Sequence, residues 1–227
     1  KKISIFIISL ILLCMSCISI SAAGTVGISK FTDEVSKENF NYVSNWALIS
    51  GVDNTDGQNK LNSIIREQAS ERLNIAENLS QTGVNVSGNF TFETARNRHG
   101  IISIILNETL ESSGSTRQTF FKGITFNGQT GKIYRLMELF RKDSNYIDFI
   151  YDEILLQCSE KDITLNETTP LKNRLPICDY YITNEEIVII LPSNEYFSKE
   201  SGFEQFPISI ERMKGMYNEE ALRLLII

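Results

Sequence analysis

Hydrophobic and polar positions alternate with two different periods along this chain. Tyr42 to Ile49 is an apolar stretch that reads as a strand, punctuated afterwards by Gly51 and Gly57. Between Asn59 and Leu79 the period changes, with Leu61, Ile64, Ile65, Ala69, Leu73 and Ala76 falling on one side of a helix. Asp56 or Asn59 is the expected N-cap of that helix. A period of two follows in Val84, Val86, Phe90 and Phe92. A turn over "ARNRHG" leads to "IISIILNETLE", and "RQTFFKGITFN" follows as a further strand closed by Asn127-Gly128 and Gly131. A second helix, opened by Asp143 or Ser144, carries Tyr146, Ile147, Ile150, Ile154 and Leu155 on one face and runs to about Glu160. "CDYYITNEEIVIILP" reads as a hairpin turning at Asn184-Glu185, "FPISIERMK" as a last strand, and "NEEALRLLII" as a short helix capped by Asn218. The stretch before Tyr42 reads as extended or irregular chain. Runs of strands interrupted by two packed helices predict an α+β fold, with antiparallel sheets and two main helices on them, rather than a parallel βαβ arrangement.

The first residues set the expected compartment. Lys1 and Lys2 precede the apolar run "ISIFIISLILLCMSCISI", and "SAAG" then offers small residues at Ser21 and Ala23. That order is the layout of a signal peptide over residues 1–23, with a retained membrane anchor as the alternative. The body is therefore expected outside the cytoplasm, secreted or at the cell surface, touching a membrane only through this segment. It would comprise an N-terminal α+β lobe over 24–140 and a C-terminal lobe over 141–227.

With 227 residues, 42% of them hydrophobic, the chain is long enough to bury a substantial core. Its formal charge is −6. Without Lys1 and Lys2 this becomes about −8, which disfavours nucleic acid and anionic lipid and favours encounter with a basic partner. Beyond Cys14 and Cys17 in the leader, two cysteines remain, Cys158 and Cys178. An oxidising compartment favours one bridge between them, worth roughly 3 kcal/mol on the chain-entropy model. Two buried free thiols are the other reading.

Candidate chemistry is sparse. His99 is the single histidine, in the "RNRHG" turn, where it is a polar turn residue unless it serves as a general base. One histidine and two cysteines do not make a zinc site of the usual spacing, and there is neither a G-x-S-x-G elbow nor a phosphate-cradling glycine motif. No metal or cofactor is expected. Glu67 with Glu71, or Glu108 with Glu111, are carboxylate pairs that could share a face, as a cell-wall hydrolase would need; otherwise they are solvated acids. Five N-x-[ST] sequons begin at Asn78, Asn85, Asn89, Asn107 and Asn166.

The order of pieces resembles a known family. "ISGVDNTDGQNKLNSII", "HGIISIIL", "FNGQTGKIYRLMELF" with Gly131, Lys132, Leu136, Leu139 and Phe140, and "YYITNEEIVIILPSNEYFSKESGFEQFPISIERMKG" follow one another as in the extracytoplasmic domain of RsiV-type, lysozyme-responsive anti-sigma factors. That domain, of unknown function elsewhere, also occurs beside a peptidoglycan deacetylase. The resemblance implies an α+β binding or sensor module rather than a catalyst, with a partner such as lysozyme or a cell-wall polymer. Residues Ser112 to Thr119 lack the histidine common in the family at that place, and Ser198 stands where a proline is usual, while Glu195 and Gly202 align. The segment Leu191 to Phe206 is the candidate contact loop. Tyr196 and Phe197 would be its exposed aromatic anchors, with Asn194, Glu195 and Gly202 beside them. Alternatively, the two aromatics cap the core and the loop is a connector.

Overall fold

The computed structural model describes residues 26–115, 117–166, 170–197 and 202–226. Strand β1 (Gly27–Lys37) and strand β2 (Phe40–Ser50) form an antiparallel hairpin. Helix α1 (Thr55–Ser80) follows, then strands β3 (Val86–Arg98), β4 (Ile101–Ser112) and β5 (Gln118–Asn127) as an antiparallel meander. These make one five-stranded sheet in sequence order. Its central seam departs from the all-antiparallel expectation. β2 and β3 run parallel from Phe40↔Val86 to Ser44↔Phe90, because α1 carries the chain back across the sheet before β3 begins.

A second layer holds helix α2 (Tyr146–Glu160), a short helix α3 (Leu171–Arg174), and strands β6 (Asp179–Ile182) and β7 (Glu186–Pro192). One helical turn, α4 (Ser193–Tyr196), strand β8 (Phe203–Ser209) and helix α5 (Glu219–Leu225) complete it. β6, β7 and β8 are antiparallel. The class is α+β, and among the described residues no helix is long and apolar enough to cross a membrane. The leader expected over residues 1–23 lies outside the described residues.

Local chemistry places the helix ends. Asn54, ahead of the expected caps, accepts the Gly57 amide at 2.8 Å and starts α1. Gly57 is also where the chain needs no side chain: a Cβ there would lie 2.0 Å from the Thr130 carbonyl. Asn218 caps α5 as expected, accepting the Ala221 amide at 2.9 Å. α2 starts after Asn145, which makes no side-chain cap bond. His99 and Gly100, at φ 55 and 74, turn β3 into β4 as a tight two-residue loop, so β3 extends through Arg98.

Two apolar clusters result. One lies under α1 and contains Phe40, Tyr42, Leu61, Ile65, Phe90, Leu106 and Phe126. The other gathers Tyr134, Leu136, Leu139 and Phe140 with α2, β6–β8 and α5. The layers meet closely where β6 crosses β5: a Cβ on Gly123 would stand 1.7 Å from the Tyr180 carbonyl. Ser103 bonds Thr125 at 2.9 Å and accepts the Ile182 amide at 2.9 Å across the same junction. Arg96 locks it from the other side. Its guanidinium, on a residue 3% exposed, donates to the carbonyls of Thr183, Asn184, Leu224 and Leu225 at 3.0–3.4 Å.

The expected disulfide is absent. Cys158 and Cys178 are free thiols. Cys158 ends the inward stripe Tyr146, Ile150, Ile154 of α2, and the Cys178 thiol is directed to the Leu175 carbonyl at 3.1 Å. Each sulfur is thus engaged in its own packing site.

Candidate functional site

The segment Leu191–Phe206 folds in a way the sequence left open. Pro192 delivers the chain into the single turn α4, where Phe197 N–H returns to Ser193 O at 2.9 Å. That turn swings Tyr196 and Phe197 inward, each 3% exposed. The Phe197 ring packs 5.6 Å from Phe206, and its backbone pairs with Leu165. They are therefore core residues and not exposed anchors. Asn194 and Glu195 remain on the surface. Gly202 adopts φ 102, a conformation glycine tolerates, and its carbonyl accepts the Ser193 amide at 2.9 Å. Residues 198–201 lie outside the described residues.

Beside α4 the surface opens into a cavity of about 220 Å³ whose lining includes Arg174, Cys178, Asp179, Glu195, Tyr196 and Phe203. The Arg174 side chain bonds that of Tyr196, which with nearby Glu195 strengthens its charged form. Burial pushes the Cys178 thiol up to about 12, with Asp179 adding to it, so at neutral pH this sulfur is a protonated, weakly nucleophilic wall. Solvent reaches Asp179, yet protein surrounds much of its carboxyl. That desolvation raises its pKa above the usual carboxylate range, while Lys122 pulls it back.

Phe203, which lines this cavity, belongs to an aromatic trio drawn from three strands. Phe121 lies 6.3 Å from Tyr181 and 6.3 Å from Phe203, tilted to both, and all three are half-buried. Tyr181 donates to Gln205 at 2.8 Å. None of the three stood out in the sequence. The one available signal is the Phe120-Phe121 pair, whose members must face opposite sides of β5. Phe120 goes to the α1 side, where Arg72 lies 4.8 Å over its ring, leaving Phe121 for the junction.

The other candidates scatter. His99 is a turn residue beside Arg98, 3.3 Å from it. Glu108 is 2% exposed beneath α1 and bonded to Tyr42 and Arg72, whereas exposed Glu111 points to the opposite face toward Arg117. Glu67 and Glu71 line an open groove along α1 alone. Among the described residues, no group of three or more His, Cys, Asp or Glu could hold a metal ion. The cleft lining thus joins aromatic rings, two carboxylates and one guanidinium.

No protein-family model matches the sequence, and none of the curated proteins does. Two solved structures share the fold. One is a DUF3298 family member from Bacteroides fragilis NCTC 9343, 11% identical, aligned over 89% of this chain and 98% of that one with a TM-score of 0.61. The other is a DUF3298 family protein from Pseudomonas aeruginosa PAO1, 12% identical, covering 88% and 97%, with a TM-score of 0.57.

Proposed function

We propose that this chain is a secreted or surface-tethered, non-catalytic recognition module that captures a basic protein, with lysozyme as the first partner to test. The observation that carries the reading is the cleft whose lining sets Tyr196 and Phe203 beside Asp179 and Glu195, with Phe121 tilted against Phe203 and Tyr181. Aromatic rings around carboxylates suit an inserted lysine or arginine, through ring-face and ion contacts together. The chain's formal charge of −6 would speed such an encounter. In the settings the resemblance implies, beside an anti-sigma segment or a deacetylase, the module would serve as the sensing or targeting part.

The experiment is titration of immobilised lysozyme with the chain at low and high salt. The expected result is a complex that weakens as salt rises, and that Phe203→Ala and Asp179→Asn each weaken about tenfold or more. Absence of a complex at low salt, or variants that bind unchanged, would overturn it. Incubation with peptidoglycan should release neither sugar nor acetate.

A further inference from the structure

Asparagine is disfavoured in strands, yet among the described residues four share one face of this sheet, while a fifth, Asn97 near the end of β3, is taken up by the Val26 carbonyl. Asn41 and Asn45 lie on β2, Asn89 on β3 and Asn107 on β4. Their strand neighbours Tyr42, Phe90 and Glu108 turn toward α1, as the Arg72–Glu108 bond fixes, so the asparagines face away from it. Hydroxyls fill the positions between them. Thr32 donates to Asn45 at 2.8 Å, Ser36 to Asn41 at 2.7 Å, and Thr91 to Asn107 at 2.9 Å. Asn89 stands opposite Thr109, which stands opposite Thr119, and Asn107 stands opposite Phe121. Two of the sequons found in the sequence, Asn89-Phe90-Thr91 and Asn107-Glu108-Thr109, are thus laid antiparallel with each asparagine facing the other's threonine.

We infer that this sheet face binds an uncharged oligosaccharide. A protein partner would need an apolar centre, and this face has almost none, Val43 being the exception among its middle positions. Its carboxylates, on Glu34, Glu93 and Glu111, and Lys30 sit at the margins, and the one cation that reaches inward, Arg117, is engaged by Thr109 at 3.1 Å and by Glu111, so the centre suits a polymer without charge. Amides and hydroxyls offer both donors and acceptors for sugar hydroxyls. The rows cross five strands, about 19 Å at ordinary strand spacing, and one ends on Phe121, whose ring can take the apolar face of a sugar. Residues that weaken a strand locally yet recur on one surface are the usual mark of a function there.

The site meets the aromatic trio beside the Asp179 cleft only at Phe121, and the test keeps the two apart through residues they do not share. Chitohexaose, cellohexaose and maltohexaose are titrated calorimetrically into the full chain. The expected result is binding of at least one, unchanged between low and high salt. The double variant Asn89→Ala/Asn107→Ala should weaken it about tenfold or more while melting at an unchanged temperature. Asp179→Asn should bind the same sugar as well as the unaltered chain. If none of the three sugars binds at millimolar concentration, or if the double variant binds undiminished, the inference fails, whatever the outcome with lysozyme.

Discussion

The Tyr42 hydroxyl donates to Glu108 Oε1 at 2.5 Å, inside a core where the glutamate side chain is 1% exposed. Arg72, reaching in from α1, holds the second oxygen at 2.6–2.7 Å and stacks over Phe120. A buried carboxylate costs several kcal/mol unless it is paired and hydrogen-bonded, and here both oxygens are engaged. Burial and the neighbouring glutamate hold the Tyr42 phenol far above its ordinary range, so it remains a donor at any working pH. Arg72→Ala should cost about 3–5 kcal/mol, because it strands the carboxylate. Tyr42→Phe should cost about 1–3 kcal/mol. Urea denaturation of the single and double variants would measure the coupling, and strict additivity would refute the shared network.

Arg96 should be intolerant of lysine. One guanidinium serves four carbonyls from two segments, the β6–β7 turn and the end of α5, and a compact ammonium cannot span them. Arg96→Lys and Arg96→Leu should each lower stability by about 3 kcal/mol or more in chemical denaturation. A lysine variant with unaltered stability would contradict the four-carbonyl clamp.

Gly123→Ala tests the contact between layers. Its Cβ would meet the Tyr180 carbonyl, a backbone atom that cannot move without shifting β6. The expected loss is about 2–4 kcal/mol, the range of severe overpacking. An exposed strand alanine, by contrast, would be nearly neutral. A Gly123→Ala protein with an unchanged melting temperature would rule out so close an approach.

Glu138 gives a pH dependence with a definite sign. The Arg135 backbone amide at 2.9 Å, then the Arg135 guanidinium and Lys132, hold its carboxyl below the usual carboxylate range, against partial burial. A lowered folded pKa adds stability that is complete above the unfolded value of about 4.3 and is lost as pH falls through the lowered one. Because the side chain is 29% exposed, the gain should stay below about 1 kcal/mol. Glu138→Gln should therefore narrow the difference in melting temperature between neutral pH and about pH 3. An unchanged difference would remove Glu138 from the acid response.

Thiol chemistry checks the free cysteines. Burial raises both the Cys158 and the Cys178 pKa, so alkylation at pH 8 should be slow in the folded chain and fast in denaturant. Peptide mapping should then find both residues alkylated without prior reduction. A peptide linking Cys158 to Cys178 would show the opposite.

What the sequence disclosed follows the strength of each local signal. β3, α1 and α2 announce themselves because one face of each is buried, β4 and β5 because their apolar runs are buried on both faces at Ile101–Leu106 and Ile124–Asn127, and Asn218 because its capping chemistry is local. β1 was not, since it is an edge strand with most residues exposed and no apolar alternation. The parallel seam depends on where α1 docks, which no short-range pattern encodes. Tyr196 and Phe197 were ambiguous for a related reason: a single turn, α4, decides whether they point in or out. The trio Phe121, Tyr181 and Phe203 comes from strands of two different sheets and exists only after those sheets meet.

The short seam between β2 and β3 joins a hairpin of eleven residue pairs to a long meander through five residue pairs. Closing it requires the whole of α1 to be laid down first, whereas β1–β2 and β3–β4 can each zip from a tight turn. The exposed outer strand β1 is the flap of the molecule, because β2 is also held by its buried side chains under α1 and by Tyr42 on Glu108. Deuterium should enter its amides ahead of those in β4, and a tether pulling on Gly27 would peel β1 away while β2 and the meander still held.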